Sequence, residues 1–273
     1  MERGRGIGVV QPYVAGFLYV IGFSVLSVAA MVKTKFNNRL RVALLTVTVL
    51  AFFFLDGGHL ITLVPKLMGS EGVRAAAGEV GEHHVETYSA PLAAVGLVVT
   101  LGLTFVMGRA VCAYGCPVGA VQELVYDVPT GSKGRGKLIL PTKKAYFIRL
   151  AGLIMIVGLY LGFGLDLIQV IAPYQLWTMG VTFPGLLIMA TFFVASLFVY
   201  RPFCRLFCPY GAIASLVARF SRFKIEKGNS CTGCGLCEQK CPTEEIDEKY
   251  GECYLCGRCF HACSTNAIQF FPD

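Results

Sequence analysis

The sequence predicts an all-α transmembrane bundle of about five spans, followed by a small, cysteine-rich α+β domain. Three observations predict it. Of 273 residues, 55% are hydrophobic and 15% charged, against about 25% charged in soluble domains. The apolar residues gather in five runs close to the roughly 20 residues that cross a hydrocarbon core. All twelve cysteines stand at or after Cys112, in tight clusters. An ordinary soluble enzyme and a disordered chain are excluded. The formal charge of +7 is read as membrane topology rather than as a nucleic-acid surface, so no nucleic-acid partner is expected.

The five runs are Tyr13–Val32, Leu40–Val64, Ala90–Met107, Tyr146–Leu167 and Thr182–Tyr200. The second is interrupted by Asp56, Gly57, Gly58 and His59. The first follows Arg3 and Arg5 but is too long for a signal-peptide core; with Met1 at its head, it is expected to be retained. Lysines and arginines set the orientation. Lys33, Lys35, Arg39 and Arg41 follow the first run, a basic stretch from Arg109 to Arg149 follows the third, and Arg201, Arg205, Arg219, Arg222 and Lys224 follow the fifth. Residues 168–181 have no Lys or Arg, and 65–89 carry Lys66 and Arg74 against four glutamates. Alternate loops agree: the C-terminus is cytoplasmic and the N-terminus outside, with Arg3 and Arg5 outvoted. All cysteines then lie on the reducing side of the cell membrane, where thiols bind metal rather than form disulfides.

From Cys231 the composition changes, and the chain is divided into a membrane part, 1–222, and a C-terminal domain, 223–273. Cys231-x2-Cys234-x2-Cys237-x3-Cys241-Pro242 is followed by Cys253-x2-Cys256-x2-Cys259-x3-Cys263. This is the bacterial two-cluster ferredoxin spacing, in which the fourth cysteine of each run ligates the other cluster. The crossed assignment gives Cys231, Cys234, Cys237 and Cys263 to one [4Fe–4S] cluster, and Cys253, Cys256, Cys259 and Cys241 to the other. Gly233, Gly235 and Gly257 leave room for backbone amides to approach the sulfurs. Paired C-x2-C units also read as zinc sites, but eight cysteines in this register with Pro242 favour iron–sulfur. Ser264 stands where a second proline would complete the pattern.

The other four cysteines form an internal repeat. Arg109, Cys112, Cys116, Pro117, Gly119 and Ala120 recur as Arg201, Cys204, Cys208, Pro209, Gly211 and Ala212. Each copy follows an apolar run and precedes a short amphipathic stretch. If the segments are helical, cysteines four apart share a face, and the proline ends or kinks the helix just after the second cysteine. Two such faces at one depth could offer four thiolates to one site, read as a third [4Fe–4S] cluster at the cytoplasmic membrane edge. A redox-active thiol pair, a copper(I) site and plain buried cysteines remain the alternatives. The repeated arginines either offset the charge of a four-thiolate cluster or anchor topology.

Over roughly residues 90–270 these features resemble the NapH/NosR-type membrane polyferredoxins. The resemblance implies a membrane electron-transfer subunit of an oxidoreductase complex, passing electrons between cytoplasmic-side clusters and quinone or quinol, or a partner redox subunit. It further implies partners: other subunits of the complex, a cytoplasmic ferredoxin-like donor or acceptor, and an outer-side cytochrome. The alternative is a maturation or regulatory iron–sulfur protein, serving a copper oxidase or a reductase, that uses the C-x3-C-P thiols. Clusters confined to one side cannot span a core of about 30 Å, so crossing needs a further carrier.

His59, at the outer end of the second run, is the candidate for a quinone headgroup or haem iron, against the plainer reading of an interfacial side chain. His83 and His84 read as solvated loop residues or contacts for a cytochrome. His261 reads as packing beside the clusters. Asp166 reads as a proton-handling or interfacial carboxylate, and residues 173–177 as an aromatic belt. Lys133 to Lys144 reads as a loop beside anionic membrane lipid. Gly131 to Gly136 lacks the strand–helix setting of a phosphate loop.

Overall fold

The computed structural model describes residues 18–30, 38–54, 90–128, 137–163, 183–222, 224–246 and 249–270. His59, His83, His84, Asp166, the 131–136 glycines and the 173–177 aromatics lie outside the described residues.

Each apolar run contains a helix: α1 Leu18–Ala30, α2 Asn38–Phe54, α3 Ala90–Met107, α5 Thr142–Phe163 and α6 Phe183–Phe198. Between them run the shorter helices α4 Pro117–Asp127, α7 Pro202–Leu206 and α8 Pro209–Ala218. Among the described residues, one helix, α5, is long and apolar enough to cross a membrane by length and composition.

The polarity of these helices is inverted relative to a soluble bundle. Leu18, Val98, Ile154, Leu161 and Phe163 are more than 60% exposed, while Ser24, Ser27, Thr48, Thr104 and Ser196 are fully buried. Three of these hydroxyls bond back into their own helices: Thr48 to the Leu44 carbonyl, Thr104 to that of Thr100 and Ser196 to that of Phe192. This satisfies them without water, as an apolar surrounding requires. Small polar residues between helices and large apolar ones outside are what lipid-facing helices show.

The two halves exchange their ends. Helix α4, which follows the first cysteine motif, packs on α2 of its own half and on α6 of the other. Helix α8, which follows the second motif, packs on α5 of its own half and on α3 of the other.

The C-terminal segment holds a two-stranded antiparallel sheet, β1 Ile225–Lys227 with β2 Ile268–Phe270, Ile225 opposite Phe270. Between the strands lie α9 Leu236–Lys240 and α10 Arg258–Ala262, packed on each other. This segment does not build a core of its own. One buried cluster runs from Leu44 and Leu45 through Tyr114 and Tyr200 to Leu255, Ile246 and Ile268.

Candidate metal centres

The paired cysteines of each C-x3-C-P motif do not share one helical face, contrary to the expectation from spacing. Cys112 lies in a π-helical turn, Val111–Gly115, and Cys116 is the N-cap of α4. Cys204 lies in α7 and Cys208 is the N-cap of α8. The physical reason is the proline. Pro117 and Pro209 stand in the first turn of a new helix, where the missing N–H has no partner to lose. They start a helix rather than end one. The second cysteine therefore sits at a helix N-terminus, where free amides face it; the Gly211 N–H donates to the Cys208 Sγ at 3.3 Å.

Three of the four thiols gather, and Cys112 belongs to the other buried cluster. Cys204 and Cys208 share a buried cluster with Val118 and Phe203, and Cys116 packs against it. Burial pushes the Cys116 thiol up to about 12, with Cys112 and Cys208 adding to the rise. Burial also raises Cys204, with Cys208, Cys116 and Cys112 adding to it. Thiols in this state stay protonated unless a cation or cluster takes the charge.

Two buried ionic centres frame them. In the first, Glu123 of α4 receives Arg41 at 3.0 Å, Arg201 at 2.8 Å and Arg258 at 2.7 Å, and Asp127 takes Arg258 at 2.8 Å and also Arg41. Burial alone would raise Glu123, but Arg258, Arg201 and Arg41 hold it down to about 2. In the second, Glu252 receives Arg109 at 2.9 Å and also Arg149, and Arg149 donates to Ser215 Oγ at 2.8 Å. Each motif arginine crosses to the other copy. Arg201 donates to the Cys112 carbonyl at 3.0 Å and Arg109 to the Gly211 carbonyl at 3.3 Å. Arg109, Arg149, Arg201 and Arg205 are at most 1% exposed, so they serve the cysteine loops directly rather than acting as free topology anchors.

Gly119 and Gly211 make this crossing possible. A Cβ on Gly119 would lie 2.4 Å from the Cys112 carbonyl oxygen and 2.9 Å from Arg201 Nη1; on Gly211 it would lie 3.0 Å from the Cys204 carbonyl oxygen and 3.1 Å from Arg109 Nη2.

The C-terminal cysteines gather as the crossed spacing groups them. One cavity is lined by Cys231, Cys234, Cys237 and Cys263, another by Cys241, Cys253, Cys256 and Cys259. Both donor sets, four thiols around an opening, suit a cluster with four cysteine corners. The Ala267 N–H donates to Cys263 Sγ at 3.2 Å. Among the described residues no three His, Cys, Asp or Glu side chains close around a single ion; a four-iron cube spreads its ligands more widely than one zinc with Zn–S of about 2.3 Å. The surroundings of the two quartets differ. Cys231 and Cys234 are exposed. The Cys241 quartet faces inward: Tyr114, between Cys112 and Cys116, donates its hydroxyl to the Leu255 carbonyl at 3.1 Å, and Arg205, beside Cys204, reaches the Pro242 carbonyl at 3.5 Å. Leu255 sits at φ 50, where the outer run has Gly233 at φ 70. His261 is exposed in α10 rather than buried against the clusters.

The residues that the sequence reading missed are Glu123, Glu252, Arg41 and Tyr114. A signal was present for two of them. Glu123 is an acid on the amphipathic helix after the first motif, and Glu252 directly precedes Cys253.

With this geometry in place, comparison with known proteins is informative. A family model for a 4Fe-4S binding domain matches twice, at residues 89–141 and 181–228, once on each C-x3-C-P copy. The uncharacterized protein MJ0750 of Methanocaldococcus jannaschii is 34% identical over 163 residues, covering 56% of this chain and 68% of its own. The methylamine utilization ferredoxin-type protein MauN of Methylobacillus flagellatus is 27% identical over 166 residues, covering 59% and 58%. Protein NirI of Paracoccus denitrificans is 29% identical over 161 residues, covering 55% of this chain and 23% of its own. The match thus spans between 23% and 68% of these relatives. No solved structure matches the chain. Fold and site define an iron–sulfur, ferredoxin-type electron-transport protein. The chain belongs to the NapH/NosR-type membrane polyferredoxin family.

Proposed function

We propose that the chain is the membrane electron-transfer subunit of an oxidoreductase complex, with a bundle of about five spans and a C-terminal two-cluster ferredoxin-like domain. In this reading Cys231, Cys234, Cys237 and Cys263 hold one [4Fe–4S] cluster, Cys253, Cys256, Cys259 and Cys241 a second, and Cys112, Cys116, Cys204 and Cys208 a third. The clusters, when bound, supply one-electron redox chemistry; the chain supplies burial, order and charge.

The observation that carries the third site is where the 4Fe-4S family model falls: on two segments with two C-x3-C-P cysteines each. A four-thiolate cluster needs both copies, and the crossed packing of α4 and α8 supports that reading. Gln122 and Gly211 reach the sulfurs of Cys204 and Cys208. The exposed Cys231 and Cys234 form the face for a cytoplasmic carrier. The C-x3-C-P thiols lie at the ends of apolar helices, at the depth where quinone in the bilayer or a partner subunit exchanges electrons with them. The membrane setting is supported by the outward Leu, Val, Ile and Phe side chains of α1, α2, α3, α5 and α6 and by the basic loops on one side.

The test is iron content. Purified protein should hold about twelve irons per chain, from three four-iron cubes. Cys112→Ser and Cys204→Ser should each lose the same third of the iron and leave the remaining spectrum alone. About eight irons, unchanged by either substitution, would remove the third site from the reading. Orientation is tested by a cysteine placed at Glu79: labelling in intact cells supports an outer loop, and labelling only after membrane disruption reverses the topology.

A further inference from the structure

We infer that Glu252 is a positioning residue: it docks the C-terminal segment onto the second half by supplying an acid that the described residues of that half lack. In doing so it turns the Cys241, Cys253, Cys256 and Cys259 quartet, rather than the Cys231 quartet, toward the C-x3-C-P cysteines.

The repeat exposes the lack. Residues 92 apart correspond: Arg109 to Arg201, Cys112 to Cys204, Cys116 to Cys208. In the first half the arginine arriving from the other copy, Arg201, and Arg41 of α2, the helix on which α4 packs, both meet Glu123. In the second half the arginines in these places are Arg109, in register, and Arg149 of α5, the helix on which α8 packs; the position matching Glu123 is Ser215. Ser215 offers Arg149 a hydroxyl but no charge. Two buried guanidinium groups without a carboxylate are strongly unfavourable. Glu252, fully buried and belonging to the C-terminal segment, meets both.

A second observation fixes the same contact by shape. Gly251, at φ +64, approaches α8 so closely that a Cβ there would lie 2.3 Å from the Ser215 carbonyl oxygen and 3.1 Å from the Arg219 backbone nitrogen. Backbone and charge therefore meet the second half at the same point.

The consequence is directional. Glu252 is the residue before Cys253, and its partner Arg149 donates to the Cys204 carbonyl at 3.0 Å. One chain of contacts thus runs from the inner quartet to a C-x3-C-P cysteine, parallel to the Tyr114–Leu255 and Arg205–Pro242 links. The clamp holds whichever group occupies these cysteines, so it stands apart from the cluster reading.

The experiment uses the full chain in detergent and follows tryptic cleavage at the exposed Arg222, just before the C-terminal segment. Glu252→Ala should be cut at least tenfold faster than wild type. Ser215→Glu combined with Glu252→Ala returns an acid to the arginines without the tether; it should recover the thermal midpoint but stay sensitive to trypsin. If Glu252→Ala does not accumulate, the double variant is compared with wild type directly. A spectroscopic arm separates positioning from mere stability. In the double variant the iron–sulfur signal lost in Cys253→Ser should shift, while the one lost in Cys231→Ser stays. Cleavage of Glu252→Ala at the wild-type rate, or a double variant as trypsin-resistant as wild type, overturns the clamp. An iron count far below twelve in wild type, with the cleavage difference intact, overturns the cluster reading and leaves the clamp standing.

Discussion

In the first half of the helical part, Arg41 and Arg201 meet Glu123 on the helix that follows Cys116; in the second, Arg149 and Arg109 meet Glu252, from outside the repeat. The two halves present the same arginine arrangement to the same cysteine motif, and only one contains its own counter-charge. In the first half Glu123 and Asp127 also take Arg258 of the C-terminal segment. The second is open until the C-terminal segment docks. The C-terminal segment thus meets the first half through its cation, Arg258, and the second through its acid, Glu252.

The sharpest way to break the comparison is to open the first half as well. Glu123→Ala leaves Arg41, Arg201 and Arg258 facing one another in a buried site. Removing one partner of a buried ion pair costs about 3–5 kcal/mol, and here three cations lose their shared acid. We expect a large fall in the thermal midpoint of purified protein, or failure to accumulate. A variant as stable as wild type would mean that water reaches this centre.

Acid should open the first half reversibly. The Glu123 carboxyl is held near 2 in the folded chain against an ordinary 4.5. Its stabilisation is complete above 4.5 and is lost as pH falls from there toward 2. At 1.36 kcal/mol per pKa unit this amounts to about 3 kcal/mol. Unfolding followed from pH 7 down to 3 should show the decline setting in below about 4.5, and Glu123→Gln should flatten it.

Glycine replacements sharpen the comparison without touching charge. A Cβ at Gly119 meets the Cys112 carbonyl oxygen at 2.4 Å, whereas at Gly211 the nearest atom, the Cys204 carbonyl oxygen, is at 3.0 Å. Backbone must shift in the first case and can give slightly in the second. Gly119→Ala should cost about 1–3 kcal/mol, in the range of overpacked cores, and Gly211→Ala clearly less, read from paired denaturation curves. Equal costs would show that the halves relax alike.

Much of this organisation was legible in the sequence. The apolar runs, the C-x3-C-P repeat and the crossed grouping of the C-terminal cysteines follow from periodicity and spacing; each run contains a helix, and each C-terminal quartet lines one cavity. What was not legible depends on residues distant in sequence. Arg41 and Glu123 are 82 residues apart, and Arg149 and Glu252 are 103 apart. A charge count reads such arginines as loop charges because it has no access to burial. The proline was misread for a local reason: the same residue ends one helix or begins the next, and only the N-capping cysteine decides.

The smallest effect asked of the comparison concerns Tyr114. Its hydroxyl donates to the Leu255 carbonyl at 3.1 Å, and Thr48 donates to its own carbonyl at 2.6 Å, so one residue ties α2, the first cysteine loop and the inner quartet together. The matching position in the second half is Leu206, which has no hydroxyl to offer. Tyr114→Phe therefore makes the first half resemble the second at this point while keeping the ring in the core. The lost hydrogen bond is worth about 0.5–1.5 kcal/mol, and the Leu255 carbonyl is left buried with one partner fewer. Leu255 is held at φ 50, a conformation a branched side chain adopts only when its surroundings impose it. The substitution should thus act at Leu255 more than at Tyr114: a small drop in thermal midpoint, together with a change in the iron–sulfur signal that Cys253→Ser abolishes. A drop with no spectral change would reduce Tyr114 to a packing residue, and the inner quartet would then depend on Glu252 and Arg205 for its place beside the C-x3-C-P cysteines.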